Sequence, residues 1–156
     1  MALASTGLPC AITDNSSSPR ARLGEIYGTW DATYGERHWI YIQNKTGSAL
    51  SAGLGVMQQN GTSLFGAALA TANCSTVRML GVAQHAISTD YYGFVLARGV
   101  GLVASNGTTT ANTAQIVSAT AGQFTDVGAS TADTSVFALE AQAVAGSTFT
   151  AKLNCL

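Results

Sequence analysis

The sequence predicts a mainly β protein: a small antiparallel β-barrel or sandwich with an extended N-terminal arm. Three observations predict it. Short apolar runs alternate with turn residues every eight to twelve positions along most of the chain. No segment carries a long amphipathic pattern of 3.6-residue period. The composition is rich in small residues, with 17 Gly and only 10% charged residues, against roughly 25% in an ordinary soluble domain.

The arm and its aromatic segment occupy residues 1–37, and the β domain residues 38–156. Residues 1–18 fit neither periodicity, and Pro9 and Pro19 are the only prolines in the chain. Arg20 and Arg22 follow, then Tyr27, Trp30, Tyr34, Trp39 and Tyr41, five of the twelve aromatics within fifteen residues. Gly24, Gly28 and Gly35 interrupt this piece and argue against a helix. Tyr, Trp and Arg are the residue types enriched at binding hot spots. Arg20, Arg22, Tyr27, Trp30, Tyr34, Arg37 and Trp39 are therefore the candidate contact residues. The same rings can instead close one end of the barrel. On the first reading, removing residues 1–36 leaves a folded β domain that has lost its binding element.

Residues 38–44, HWIYIQN, alternate, with Trp39, Tyr41 and Gln43 on one side and His38, Ile40 and Ile42 on the other. Lys45-Thr46-Gly47 is a turn, residues 54–59 a strand, and Asn60-Gly61 a hairpin turn, because both residues tolerate positive φ. Residues 64–72 fit a strand or a short helical turn. Residues 78–109 contain three apolar runs, 79–82, 91–96 and 100–104, and predict a three-stranded meander turned at Ser88-Thr89-Asp90 and punctuated by Gly99 and Gly101. An internal repeat links GLGVMQQNGTS at 53–63 with GVGLVASNGTT at 99–109. A further strand is expected at 114–118 and a loop at 123–133, while residues 135–143 fit a strand or, from their Ala and Glu content, a helical turn. A closing hairpin turns at Gly146-Ser147 into residues 148–154, where Phe149, Ala151 and Leu153 alternate with Thr148, Thr150 and Lys152.

No chemistry-bearing constellation emerges. His38 and His85 stand in strands without a ligand partner at metal spacing. The acids are scattered, with Asp14, Asp90, Asp126 and Asp133 in expected turns. There is no G-x-S-x-G elbow, no complete G-x-G-x-x-G and no Walker motif. Cys10, Cys74 and Cys155 show no CxxC spacing, so the expectation is free thiols in a reducing compartment; Cys10 and Cys155 can meet only if the fold joins the chain ends. Five N-x-[ST] sequons, at Asn15, Asn44, Asn60, Asn73 and Asn106, are expected by accident in so Ser/Thr-rich a chain. The start MALASTGLPC lacks the basic and apolar regions of a secretory signal. A net charge of −1 with no basic stripe gives no support for nucleic acid. No apolar run reaches the roughly 18 residues of a membrane helix. The sequence thus predicts neither an enzyme nor a cofactor or metal site. A charge-poor surface suits an assembly, since interface cores are depleted in charge. A secreted β domain with a Ser/Thr surface is the other reading of the same composition.

The pieces Asn44-Lys45-Thr46-Gly47, Gly53 to Val56, Leu80-Gly81-Val82-Ala83 with Ile87, and Gly93-Phe94-Val95 with Gly99 resemble the spaced pattern of capsid decoration (cement) proteins of tailed bacteriophages, over residues 40–105. That resemblance implies a β-rich head on the outside of an icosahedral shell, a homotrimer, the major capsid protein as partner, and synthesis in the host cytoplasm. It brings no catalytic residues. A tail- or baseplate-associated virion protein is the neighbouring alternative. A small β-domain hydrolase is a further alternative, and would need a convergent polar cluster that the sequence does not show.

Overall fold

The computed structural model describes residues 7–59, 65–71, 79–127 and 136–156. Asn60-Gly61, Cys74, Asp133 and the ends of the 64–72 segment lie outside them. The described residues are all β, with strands β1 (Ile26–Asp31), β2 (Gly35–Asn44), β3 (Gly55–Gln58), β4 (Gly66–Leu69), β5 (Met79–Ala83), β6 (Tyr92–Ala104), β7 (Ala114–Val117), β8 (Phe124–Asp126), β9 (Val136–Ala138) and β10 (Thr148–Asn154).

They form one sheet in the order β1-β2-β4-β3-β5-β6-β10-β9-β7-β8, and β2 also pairs with β6. That extra pairing closes β2, β4, β3, β5 and β6 into a ring, which is the expected small barrel. Its pairings are antiparallel except one: Gln43 and Asn44 of β2 run parallel to Gly66 and Ala67 of β4. The sheet is therefore mixed, a correction to the antiparallel expectation. The reason is the long connection after β2, which skips one strand position to form β3, so that β4, turning back antiparallel to β3, fills the gap and runs parallel to β2.

The alternation in residues 38–44 has both of its sets buried. Ile40 and Ile42 join Val56, Ala67, Leu80, Ala83, Val95 and Ala97 in one cluster. All five ring strands contribute to it, so it fills the ring. Its many alanines fit the small bore of so few strands. Trp39 and Tyr41 face outward into a second cluster with Phe94, Leu96, Val103, Phe124, Phe149 and Leu153. Leu8, Ile12, Ala21 and Leu23 pack on this outer core. Residues 7–25 are thus an irregular strap laid over the barrel.

The boundary placed between residues 37 and 38 falls inside β2. Residues 26–44 are an antiparallel hairpin, Ile26 opposite Ile40 and Asp31 opposite Gly35. Asp31 Oδ1 accepts from the Thr33 and Tyr34 amides at 2.8 and 3.0 Å, and Gly35 takes φ 74°. This Asx-type turn closes the hairpin. The aromatic segment is accordingly part of the sheet, and the glycines that argued against helix are compatible with strand.

The expected meander is two strands. Residues 92–104 form one strand, whose first half pairs with β2 and β5 and whose second half pairs with β10. Gly99, at φ 114°, bends that strand rather than ending it. A Cβ there would lie 2.7 Å from the Glu36 carbonyl oxygen. A bulge at His38/Trp39 marks the same place on β2. Gly53, the repeat equivalent of Gly99, also has positive φ, 88°, and its carbonyl accepts from the Ala104 amide at 2.8 Å. The two repeat copies therefore touch, but they occupy different places in the sheet. Phe124–Asp126, expected in a loop, is the short edge strand β8. The closing strand matches its prediction, with Phe149, Ala151 and Leu153 buried.

Asn44 explains the Asn-Lys-Thr-Gly piece. It is fully buried. Its Nδ2 donates to the carbonyls of Ser48 and Ile87 at 2.8 and 2.9 Å, and its Oδ1 accepts from the Thr46 amide and hydroxyl at 3.0 and 2.8 Å. One side chain satisfies the backbone of two loops, and in the folded chain it is inaccessible to glycosylation.

Candidate functional site

The first hairpin carries most of the sequence-predicted contact residues, and alternation along β1 sorts them. Tyr27, Thr29 and Asp31 face the body of the protein. The Tyr27 ring meets Phe94 edge-on at 5.6 Å, Thr29 Oγ1 accepts from Trp39 Nε1 at 2.8 Å, and Asp31 Oδ2 accepts from Arg37 Nη2 at 2.6 Å. Ile26 and Trp30 face away and are exposed, Trp30 at 64%. β1 ends the sheet, so its outer backbone edge has no strand partner among the described residues.

Arg37 organises the tip. Its guanidinium carbon lies 5.2 Å from the Tyr34 ring centroid and 5.1 Å from that of Trp39. With Asp31 binding one nitrogen, the guanidinium is held within cation–π distance of two rings. Its side chain is only 12% exposed, and its Nε is buried without a hydrogen-bond partner. The Thr33 and Tyr34 amides hold the Asp31 carboxyl below its ordinary value, and the Arg37 charge adds to this.

The seven predicted residues therefore divide. Trp39, 2% exposed, and Tyr27 belong to the packing. Arg37 is a brace. Trp30 and Tyr34 are displayed on the hairpin. Arg20 and Arg22 lie on the strap, outside the hairpin, with exposed side chains. The structure does not bring all seven onto one surface. Sequence reasoning missed Asp31, which caps the turn and anchors Arg37; an Asp six residues before an Arg across two turn-forming positions was the available signal.

Elsewhere the polar groups are held rather than poised. Burial, and then the neighbouring Asp14 carboxylate, push the Cys10 thiol above its ordinary value, which disfavours a thiolate nucleophile. Burial pulls His85 below its ordinary value, and its Nε2 lies 3.1 Å from the Asp14 carbonyl oxygen. The Glu25 carboxylate, accepting from the Tyr27 hydroxyl at 2.7 Å, pushes that phenol up to about 12. Among the described residues no three His, Cys, Asp or Glu side chains gather to hold a metal ion. The chain matches no protein-family model and no curated protein.

Proposed function

We propose that this chain is a structural binding protein that decorates the outer surface of an icosahedral phage capsid as a homotrimer, bridging major capsid subunits. The observation that carries the reading is the exposed Trp30 on a hairpin that Asp31 and Arg37 hold rigid. A large ring displayed by a preorganised element loses little entropy on binding and is the residue type that anchors interfaces. The charge-poor surface and the pattern in residues 40–105 support the same reading. Because the strap is packed on the barrel, the hairpin rather than a folding arm is the contact element. Weak contacts of this kind add by avidity on a symmetric shell.

The test is co-sedimentation of purified chain with expanded, empty shells assembled from major capsid protein alone. Saturable binding, lost in Trp30→Ala, is expected. A chain that stays in the supernatant overturns the proposal.

A further inference from the structure

A cleft of about 460 Å³ opens beside the hairpin, lined by Tyr34, Glu36, His38, Arg98, Lys152 and Asn154, with Val100 and Phe137 as apolar wall. Strand register builds it. Arg98 of β6 stands opposite both His38 of β2 and Asn154 of β10. In the next row Lys152 of β10 stands opposite both Val100 of β6 and Phe137 of β9. Two adjacent rows of one sheet face thus place a guanidinium, an ammonium, an imidazole and an amide around one opening.

In a chain with seven Lys and Arg in all, two stand together here without an ion pair among the described residues, where the ion pairs at Asp14, Asp31, Glu36 and Asp90 go to Arg20, Arg37, His38 and Lys45. Arg98 and Lys152 stand diagonally across β6 and β10, and the Arg98 charge acts on Glu36, so only part of this positive charge is balanced within the fold. Glu36 is the one acid lining the cleft, and its Oε1 is 2.9 Å from His38 Nε2. The His38 ring holds the Glu36 carboxyl below its ordinary value, so it stays ionised in that pairing. Arg98 and Lys152 against Glu36 leave a surplus of about one positive charge. That surplus matches a single carboxylate better than a phosphate dianion, which Glu36 would repel.

We propose that this cleft is a carboxylate-binding site for an acidic peptide segment of a partner protein: Arg98 and Lys152 take a Glu or Asp side chain, and Phe137 and Val100 take an apolar neighbour of it. Arg offers the planar fork that a carboxylate fits, and Lys adds a point charge. The exposed Phe137 ring supplies apolar area beside the charges. Such a segment binds whatever larger assembly the chain belongs to.

The test titrates a blocked tetrapeptide, Glu-Glu-Phe-Gly, into full-length ¹⁵N-labelled chain, with Gln-Gln-Phe-Gly and inorganic phosphate as separate arms. The Glu peptide is expected to shift the Gly99, Phe137 and Lys152 amides, and the Gln peptide to bind about tenfold more weakly or worse. Arg98→Gln and Lys152→Gln each weaken the Glu peptide about tenfold; both side chains are exposed, so melting temperatures identify folded variants. Lys45→Gln, at a cation outside the cleft that pairs with Asp90, leaves binding unchanged. Equal binding of the Glu and Gln peptides, or binding unaffected by both cleft variants, overturns the site. Phosphate binding tighter than the Glu peptide at the same amides overturns the acidic-peptide assignment.

Discussion

The Tyr41 hydroxyl donates to the Asp14 carboxylate at 3.1 Å inside the protein, joining the strap to the central strand. The same hydroxyl accepts from the Arg20 amide at 3.1 Å, and Asp14 Oδ2 also accepts from the Ser16 hydroxyl at 3.0 Å. Tyr41→Phe leaves a buried carboxylate and a backbone amide short of a partner. It is expected to cost about 1–3 kcal/mol in denaturant unfolding and to speed amide exchange at Arg20. A chain lacking residues 1–36 loses the strap, β1 and the cover over Trp39 and Tyr41. In contrast to the expectation from sequence, it should aggregate or give a non-cooperative melt by circular dichroism.

Arg37→Lys keeps the charge at the hairpin but removes the planar guanidinium between Tyr34 and Trp39 and its hydrogen bond to Asp31. A loss of about 1 kcal/mol is expected in chemical denaturation. A variant as stable as the parent would show that stacking contributes nothing here.

Gly81 and Gly28 form a matched pair. Gly81 has φ 155°, and a Cβ there would lie 2.5 Å from the Leu96 carbonyl oxygen, whereas a Cβ at Gly28 meets nothing within 4 Å. Gly81→Ala should destabilise by about 3 kcal/mol. Gly28→Ala should stay within about 0.5 kcal/mol of the parent. Thermal melts of the two proteins check both values.

Asp126 supplies a pH dependence. Burial alone would raise its carboxyl, but bonds from the Gln115 side chain, Thr110 and Thr113 prevail and hold it below its ordinary value. Its folded value lies under its unfolded one. The stability it adds is therefore full above about pH 4 and is lost as pH falls through the depressed folded value. Asp126→Asn should flatten the acid limb of a stability–pH curve between pH 5 and 2, a range of about one to two units around the ordinary Asp value.

Trp30→Ala removes a side chain that faces solvent. Its unfolding midpoint should match the parent, with stability changed by about 0.5 kcal/mol or less. A larger loss would place Trp30 in the packing rather than on a display surface.

Period-two patterns were legible wherever a strand buries alternate side chains. The alternation at 38–44 and the closing strand at 148–154 come from local spacing of apolar residues, which the pleat converts directly into faces. The Lys45-Thr46-Gly47 turn was legible for the same local reason, with Gly47 at φ 83°. Ring closure was not legible, because it joins Ile40 to Val95 and Tyr41 to Phe94, partners that no local pattern pairs. Gly99 looked like a turn because a glycine breaks an apolar run; only its place beside the Glu36 carbonyl makes it a bend within one strand. The candidate contact residues divide on the same principle. Composition gathered Tyr27, Trp30, Tyr34, Arg37 and Trp39 into one segment. Strand register decided that Trp39 is buried and Trp30 displayed. Arg98, Lys152 and His38 had no common signal at all, since their proximity exists only where β2, β6 and β10 lie side by side. The sequence by itself determined the β class and the faces of its clearest strands, because those depend on neighbours in the chain. The tertiary structure alone decided the barrel, the braced hairpin and the charged cleft, because those depend on pairings between strands far apart in the chain.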